Sequence, residues 1–150
     1  MASAKNGPVV FAYDGSDLAN AAIAEAGRQL SPIRQAIVLT VWQPFNVGFV
    51  TPHELKMNAA AVNEVRAAVE ETAAQGASPA QAAGFEVTSM AREAAPTWKG
   101  IVEVADEQDS TLIVLGSYGR SGLADVLIGS VAHAVSAHSR RPVLLVPRHH

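Results

Sequence analysis

The chain has 150 residues, 49% hydrophobic and 17% charged, with a formal net charge of −3 and no cysteine. This composition is globular and sized for a single domain over residues 1–150, and it gives nucleic acid no electrostatic attraction, since Arg140-Arg141 is the nearest thing to a basic run. Disulfides, thiolate nucleophiles and zinc–thiolate sites are excluded. The polar opening from Met1 to Gly7 does not read as a signal peptide, and no window approaches the roughly 20 apolar residues of a membrane span. The cytoplasm is therefore the expected compartment.

The first element is a buried strand, Val9 to Tyr13. Behind the turn Asp14-Gly15-Ser16, a helix carries Leu18, Ala22, Ile23, Ala26 and Leu30 on one face, with Ser16 as its candidate N-cap. A second strand, Ala36 to Val41, runs into a long connection from Trp42 to Pro52 that contains two prolines and a glycine. A longer helix then places Leu55, Ala59, Val62, Val65, Val69 and Ala73 at spacings of three and four. Gln75 to Gly84, rich in Ala, Gly, Ser and Pro, reads as a loop.

The third strand, Phe85 to Met90, alternates like a half-exposed one. Trp98, Ile101, Val102 and Ala105 mark a helix, Thr111 to Leu115 a buried strand, and Val131, Ala132 and Val135 a last helix behind Ser130. Val143 to Val146 is the fifth strand. Four of the five strands are continuous aliphatic runs, as in a sheet covered on both faces. Strict alternation of strands and helices predicts an α/β fold with a parallel sheet between two helical layers.

In open parallel sheets, ligands bind beyond the carboxyl ends of the strands, where strand order reverses. Two loops lie at such ends. One is Asp14-Gly15-Ser16. The other begins as Gly116-Ser117-Tyr118-Gly119-Arg120-Ser121-Gly122 and continues to Gly129-Ser130 at the head of the last helix. Glycines there permit positive φ and close approach of backbone amides to an anion. A helix opening at Gly129-Ser130 would add free N–H groups, the positive dipole end and a hydroxyl, with Arg120 supplying charge from the rim. Two turns with Ser130 as a plain N-cap are the bland alternative. Four glycines, a helix-opening serine and a buried strand end in one place favour phosphate. The mode is neither a P-loop nor a dinucleotide fingerprint: no lysine follows Lys99, and no GxGxxG follows the first strand.

Gly116-x2-Gly119-x9-Gly129-Ser130 resembles the glycine pattern of nucleotide-binding universal stress proteins. The flanking Ile113-Val114-Leu115-Gly116-Ser117, Ile128-Gly129-Ser130-Val131-Ala132 and Arg141-Pro142-Val143-Leu144-Leu145-Val146-Pro147 are similar to that family too, as is Ala12-Tyr13-Asp14-Gly15-Ser16. The resemblance is weakest from Trp42 to Gly84. It implies a five-stranded Rossmann-like sheet in the order 3-2-1-4-5, of the adenine nucleotide alpha-hydrolase type.

By that resemblance, ATP or a related adenine nucleotide would bind, with Mg²⁺ carried by its phosphates. Gly116, Gly119, Gly129, Ser130 and Val131 would contact ribose and phosphates, with Asp14 near the ribose or the cation. Val41 would meet adenine through its backbone. The chain departs from the family at Tyr118, where His or Arg is common, and at Ala94-Ala95, where a glycine usually precedes the helix.

Asp14 can serve a ribose or merely its own turn. Trp98 is expected in the core, while Trp42 either lines the base pocket or simply packs. His133 and His138, five residues and so about 140° apart on a helix, are poorly placed to share a metal. Asp106, Glu107 and Asp109 are expected to be solvated. No catalytic set and no metal-ligand set stands out.

The function expected is an ATP-binding stress-response or signalling switch. The alternatives are a nucleotide-free dimerisation module with a vestigial site, or a slow ATP hydrolase. An apolar last strand at the sheet edge, Val143 to Val146, predicts a homodimer, as the resemblance also implies.

Overall fold

The computed structural model describes residues 7–30, 34–43, 59–118 and 128–147. Five parallel strands form one sheet in the order β3-β2-β1-β4-β5. They are β1 (Val9–Ala12), β2 (Gln35–Trp42), β3 (Glu86–Glu93), β4 (Leu112–Gly116) and β5 (Val143–Val146). The helices are α1 (Asp17–Gln29), α2 (Ala59–Gln75), α3 (Ala77–Ala82), α4 (Thr97–Glu107) and α5 (Ser130–His138). The layering is the one that the alternation of elements predicts, and the strand order is the one that the family resemblance implies. The chain first builds outward from β1 through β2 to β3, then returns to the other side of β1 for β4 and β5. The switch point therefore lies between β1 and β4.

Successive strand residues point to opposite faces, and both faces are dry. Val9, Phe11, Val38 and Val114 join Ala22, Ile23 and Ala26 of α1 and Ala80 of α3 in one cluster. Val10, Ile37, Leu39, Ile113 and Leu115 meet Ile101, Val104 and Ala105 of α4 and Ala132 and Val135 of α5 in the other. Phe11 and Phe85 close the first cluster edge to face, with ring centroids 5.1 Å apart.

Gln75 to Gly84 is not the loop that its composition predicts; α2 runs through Gln75, and α3 follows directly. Gly and Pro misled the reading because they break the helical run only at Gly76 and not over the whole segment. Gly76 lies between the two helices, where a Cβ would come within 2.6 Å of the Val38 side chain and 3.0 Å of the Tyr13 ring. Pro79 falls in the first turn of α3, where a missing N–H costs nothing, and Ala80 is fully buried. The predicted long helix from Leu55 is observed from Ala59, its earlier part lying outside the described residues.

The acidic cluster before β4 is not simply solvated. Arg141 donates to Asp106 at 3.1 Å, to Asp109 at 2.8 Å and to the Ser110 carbonyl at 3.1 Å. Arg92 holds Glu107 through two hydrogen bonds, of 2.7 and 3.0 Å. Those bonds keep the Glu107 carboxyl below its ordinary range. Next to this, Thr111 donates to the Gly7 carbonyl at 3.0 Å, and Arg34 donates to Thr111 at 3.3 Å. Gly7 admits no side chain, because a Cβ would come within 2.1 Å of the Asp109 carbonyl oxygen. The amino ends of β1, β4 and β5 are thus knotted together by polar groups that serve one another.

Candidate functional site

At the opposite, carboxyl ends of the strands is a cleft of about 740 Å³, the size of pocket that takes a small-molecule ligand. Ala12, Tyr13 and Asp14 line it from the end of β1, and Leu39, Thr40 and Val41 from β2. Thr97 and Ile101 of α4 close one side. Leu115, Gly116 and Tyr118 approach from β4, and the stretch from Ile128 to His133 approaches from α5 and its entry.

Backbone geometry decides what the β2 wall offers. The β1 ladder ends at the pair Ala12 and Leu39, after which the Tyr13 N–H donates to the Leu39 carbonyl at 2.8 Å. The Thr40 hydroxyl donates to the Tyr13 carbonyl at 2.8 Å and fixes the chain as it leaves the sheet. In a parallel strand, the N–H and C=O of one residue point to the same side, and the next residue's point to the other. Leu39 faces β1, whereas the Trp42 carbonyl faces β3, where it accepts from Ala94 at 3.0 Å. Val41 therefore turns both backbone groups to the side that β1 has left. β2 runs one residue past it, to Trp42. Trp42 itself is buried and is not among the residues described as lining the cleft, so it packs rather than meets a ligand.

Asp14 serves its own turn and also lines the cleft. One carboxylate oxygen accepts from the Ser16 N–H at 3.0 Å, and Ser16 in turn caps α1 by accepting from the Ala19 N–H at 3.1 Å. Gly15 supplies the positive φ, +82°, that this tight turn needs. Behind it, the Tyr13 hydroxyl donates to Asn20 at 2.7 Å. Burial raises the phenol above its ordinary range, opposed by the Asn20 bond and aided by the Asp14 charge. Tyr13 is accordingly a neutral donor committed to α1.

The glycines act otherwise than expected. Among the described residues, positive-φ glycines are Gly15 and Gly84, so neither Gly116 nor Gly129 is there for a left-handed backbone. At Gly116, a Cβ would lie 2.7 Å from Leu18 Cγ, so this position is bare because α1 packs against it. Gly129 is extended, with φ −69° and ψ 162°, and is the N-cap of α5. This corrects the expectation for Ser130, which is the first helical residue and makes no capping bond. The Gly129 N–H donates to the Ser117 carbonyl, and the Gly129 carbonyl accepts from the His133 N–H at 2.9 Å. The N–H groups of Ser130, Val131 and Ala132 come before that first intrahelical bond and point out of the helix end.

Gly119 and Arg120 lie outside the described residues. Asp14, Val41, Gly116, Gly129, Ser130 and Val131 all line the one cleft. Tyr118 and His133 do so too, as do Thr97 and Ile128, which sequence reasoning missed. Ile128 could have been suspected as an apolar residue within the glycine stretch; it is 43% exposed. His138 does not face the cleft; it stacks on Trp98 with ring centroids 4.0 Å apart. Among the described residues, no group of three His, Cys, Asp or Glu is arranged to hold a metal ion, and no helix is long and apolar enough to cross a membrane.

The model of the "Universal stress protein family" matches residues 5–147. Universal stress protein MJ0577 of Methanocaldococcus jannaschii is 35% identical over 65 residues, a stretch that is 43% of this chain and 40% of that protein's own length. The solved structure of MJ0577 superposes with a TM-score of 0.75 at 23% identity, covering 97% of this chain and 98% of that one. A universal stress protein in complex with cAMP gives a TM-score of 0.65 at 27% identity, covering 95% of this chain and 97% of that one. The protein from Archaeoglobus fulgidus in complex with dAMP gives 0.57 at 24% identity, covering 93% and 96%.

Proposed function

This chain belongs to the universal stress protein family, and from that membership we propose that its cleft holds an adenine nucleotide, with ATP as the physiological ligand. One observation carries the reading: a single cleft is lined at one end by the outward-facing backbone of Val41 and at the other by the open N-terminus of α5. Adenine carries a donor, its 6-amino group, beside an acceptor, N1. That pair matches a C=O and an N–H offered by one residue at the edge of a strand. Guanine presents the reverse order on the same edge and would be refused. The amides of Ser130 and Val131 and the Ser130 hydroxyl suit phosphate oxygens, which the helix dipole also favours. Asp14, at the wall between the two ends, suits a ribose hydroxyl.

The relatives that hold cAMP and dAMP support the adenine class. We assign Gly116, Gly119 and Arg120 to the ribose–phosphate side on the family pattern, and Mg²⁺ to the phosphates themselves. In this proposal the bound nucleotide acts as a switch whose output is a partner protein or the oligomeric state.

The test is to denature protein purified without added ligand, identify any released nucleotide by mass spectrometry, and titrate ATP with Mg²⁺ into wild type and Gly129→Val by calorimetry. The extended backbone of Gly129 is one that valine can adopt, and the midpoint of thermal unfolding of the variant, measured beside the titration, separates a loss of binding from a loss of fold. Micromolar binding lost in the variant supports the reading. Folded wild type with neither bound nucleotide nor binding heat removes it.

A second reading, compatible with the first, has its own observation. A groove of about 530 Å³ runs along β5, lined by Val143, Leu144, Leu145 and Val146 with Leu30 of the α1 cap and Leu112. β5 is an edge strand in which Val143, Leu144 and Leu145 are only partly buried, and pairing with a second copy would cover them. We propose a homodimer through this edge. A single monomeric species in sedimentation at micromolar concentration would count against it.

A further inference from the structure

Thr97 is the first residue of α4 and lines the cleft, and it is not left to rotate freely. The side-chain amide of Gln43 donates to its Oγ1 at 2.8 Å, across 54 positions of sequence. Gln43 directly follows β2, two residues beyond Val41. The start of α4 is held tightly against Val41: a Cβ on Gly100 would come within 2.9 Å of Val41 Cγ1. Thr97 therefore belongs to the Val41 end of the cleft, away from Gly129 and the α5 N-terminus. A threonine hydroxyl that accepts one hydrogen bond keeps its own proton to donate. With the amide of Gln43 occupying a lone pair, that proton is turned away from Gln43.

We infer that Thr97 is a specificity-determining residue, whose hydroxyl, positioned by Gln43, donates to a ring nitrogen of the bound purine. This rests on the adenine-nucleotide reading above and deepens it. Val41 reads the edge carrying the 6-amino group and N1. A purine then has only N3 and N7 left as ring acceptors, and Thr97 selects one of them. Pyrimidine nucleotides have no counterpart of N7, and their counterpart of purine N3 carries the ribose.

The distinguishing experiment measures binding of ATP, 7-deaza-ATP and 3-deaza-ATP to wild type, Thr97→Val, Thr97→Ser and Gln43→Leu by calorimetry. A neutral hydrogen bond of this kind corresponds to a loss of roughly 3- to 10-fold in affinity. One deaza analogue is expected to bind wild type that much more weakly than ATP. Thr97→Val is expected to lose the same factor for ATP and to show no further loss with that analogue. Thr97→Ser should restore the discrimination, and Gln43→Leu should blunt it while leaving the thermal midpoint of unfolding near that of wild type.

If wild type binds ATP, but Thr97→Val weakens ATP and both analogues equally or not at all, the inference is overturned and Thr97 serves only to tie α4 to the end of β2. If wild type binds no adenine nucleotide, the underlying reading fails instead, so the two failures are distinct.

Discussion

The two ends of the sheet are built from similar materials and used in opposite ways. At the amino ends, Arg141, Asp106, Asp109 and the Ser110 carbonyl bind one another, as do Arg34, Thr111 and the Gly7 carbonyl. At the carboxyl ends, Val41 and the first amides of α5 face open volume, and Asp14 lies at its wall. One end pairs most of its polar groups internally, the buried Ser110 hydroxyl excepted, and holds the fold together; the other leaves its groups presented. In a native structure, polar groups are left without internal partners where water or a ligand completes them. Stability and binding should therefore separate by end.

The sharpest way to break that separation is a matched pair of glycine substitutions. Gly129→Val should cost ATP affinity about 100-fold, roughly 2.8 kcal/mol, with little change in the midpoint of thermal unfolding. Gly7→Ala should do the reverse, because its Cβ meets the Asp109 carbonyl at 2.1 Å. Overpacking of this sort destabilises by about 1–3 kcal/mol, read by urea unfolding, with the nucleotide dissociation constant unchanged. An affinity loss in Gly7→Ala, or unfolding in Gly129→Val, would merge the two ends.

Asp14→Ala tests the one residue that has a foot in each camp. Loss of its bond to the Ser16 N–H should cost about 1 kcal/mol of stability, and calorimetry should show a separate loss of ATP affinity if the carboxylate also serves the ribose. Asp14→Asn keeps an acceptor for the turn and should recover most of the stability alone. A smaller effect is expected of Arg141→Gln. Its pairs are partly exposed, so its loss should cost up to about 1 kcal/mol, less at high salt, and nothing in binding.

The smallest effect concerns pH. Hydrogen bonding to Arg92 lowers the folded Glu107 carboxyl below its ordinary value. The contribution is thus complete above the ordinary carboxylate range and is lost as pH falls through the lowered value. The stability difference between wild type and Glu107→Gln, measured by chemical denaturation, should be present at neutral pH and close as the solution is acidified. A difference that grew on acidification would contradict the pairing.

Much of the fold was legible because its signals are redundant. Runs such as Ile37-Val38-Leu39 and Ile113-Val114-Leu115 can only be buried strands once helices alternate with them, and β1 through β5 are found where those runs stand. α3 was illegible because Gly76 and Pro79 carry the same letters in a loop as beside a helix start; only the packing of Gly76 against Val38 and Tyr13 tells them apart. The arginine pairs to Asp106, Asp109 and Glu107 span 35, 32 and 15 positions, and no local pattern announces them. At the carboxyl ends, the glycine spacing led to residues that line one cleft, but for a partly wrong reason, since the described members of the pattern do not have positive φ. Thr97 was missed because its partner, Gln43, sits 54 positions away.

The crowding of Gly116 by Leu18 has a consequence for how related chains would diverge. A descendant that no longer met any nucleotide would still favour glycine at 116, because any Cβ there would push on the Leu18 side chain of the first helix. It would be free to replace Gly129, whose backbone suits any residue. Two positions of the same short pattern should thus decay at different speeds once selection for the ligand is relaxed. In such a lineage Gly116 would record ancestry, and Gly129 would record whether the site is still in use.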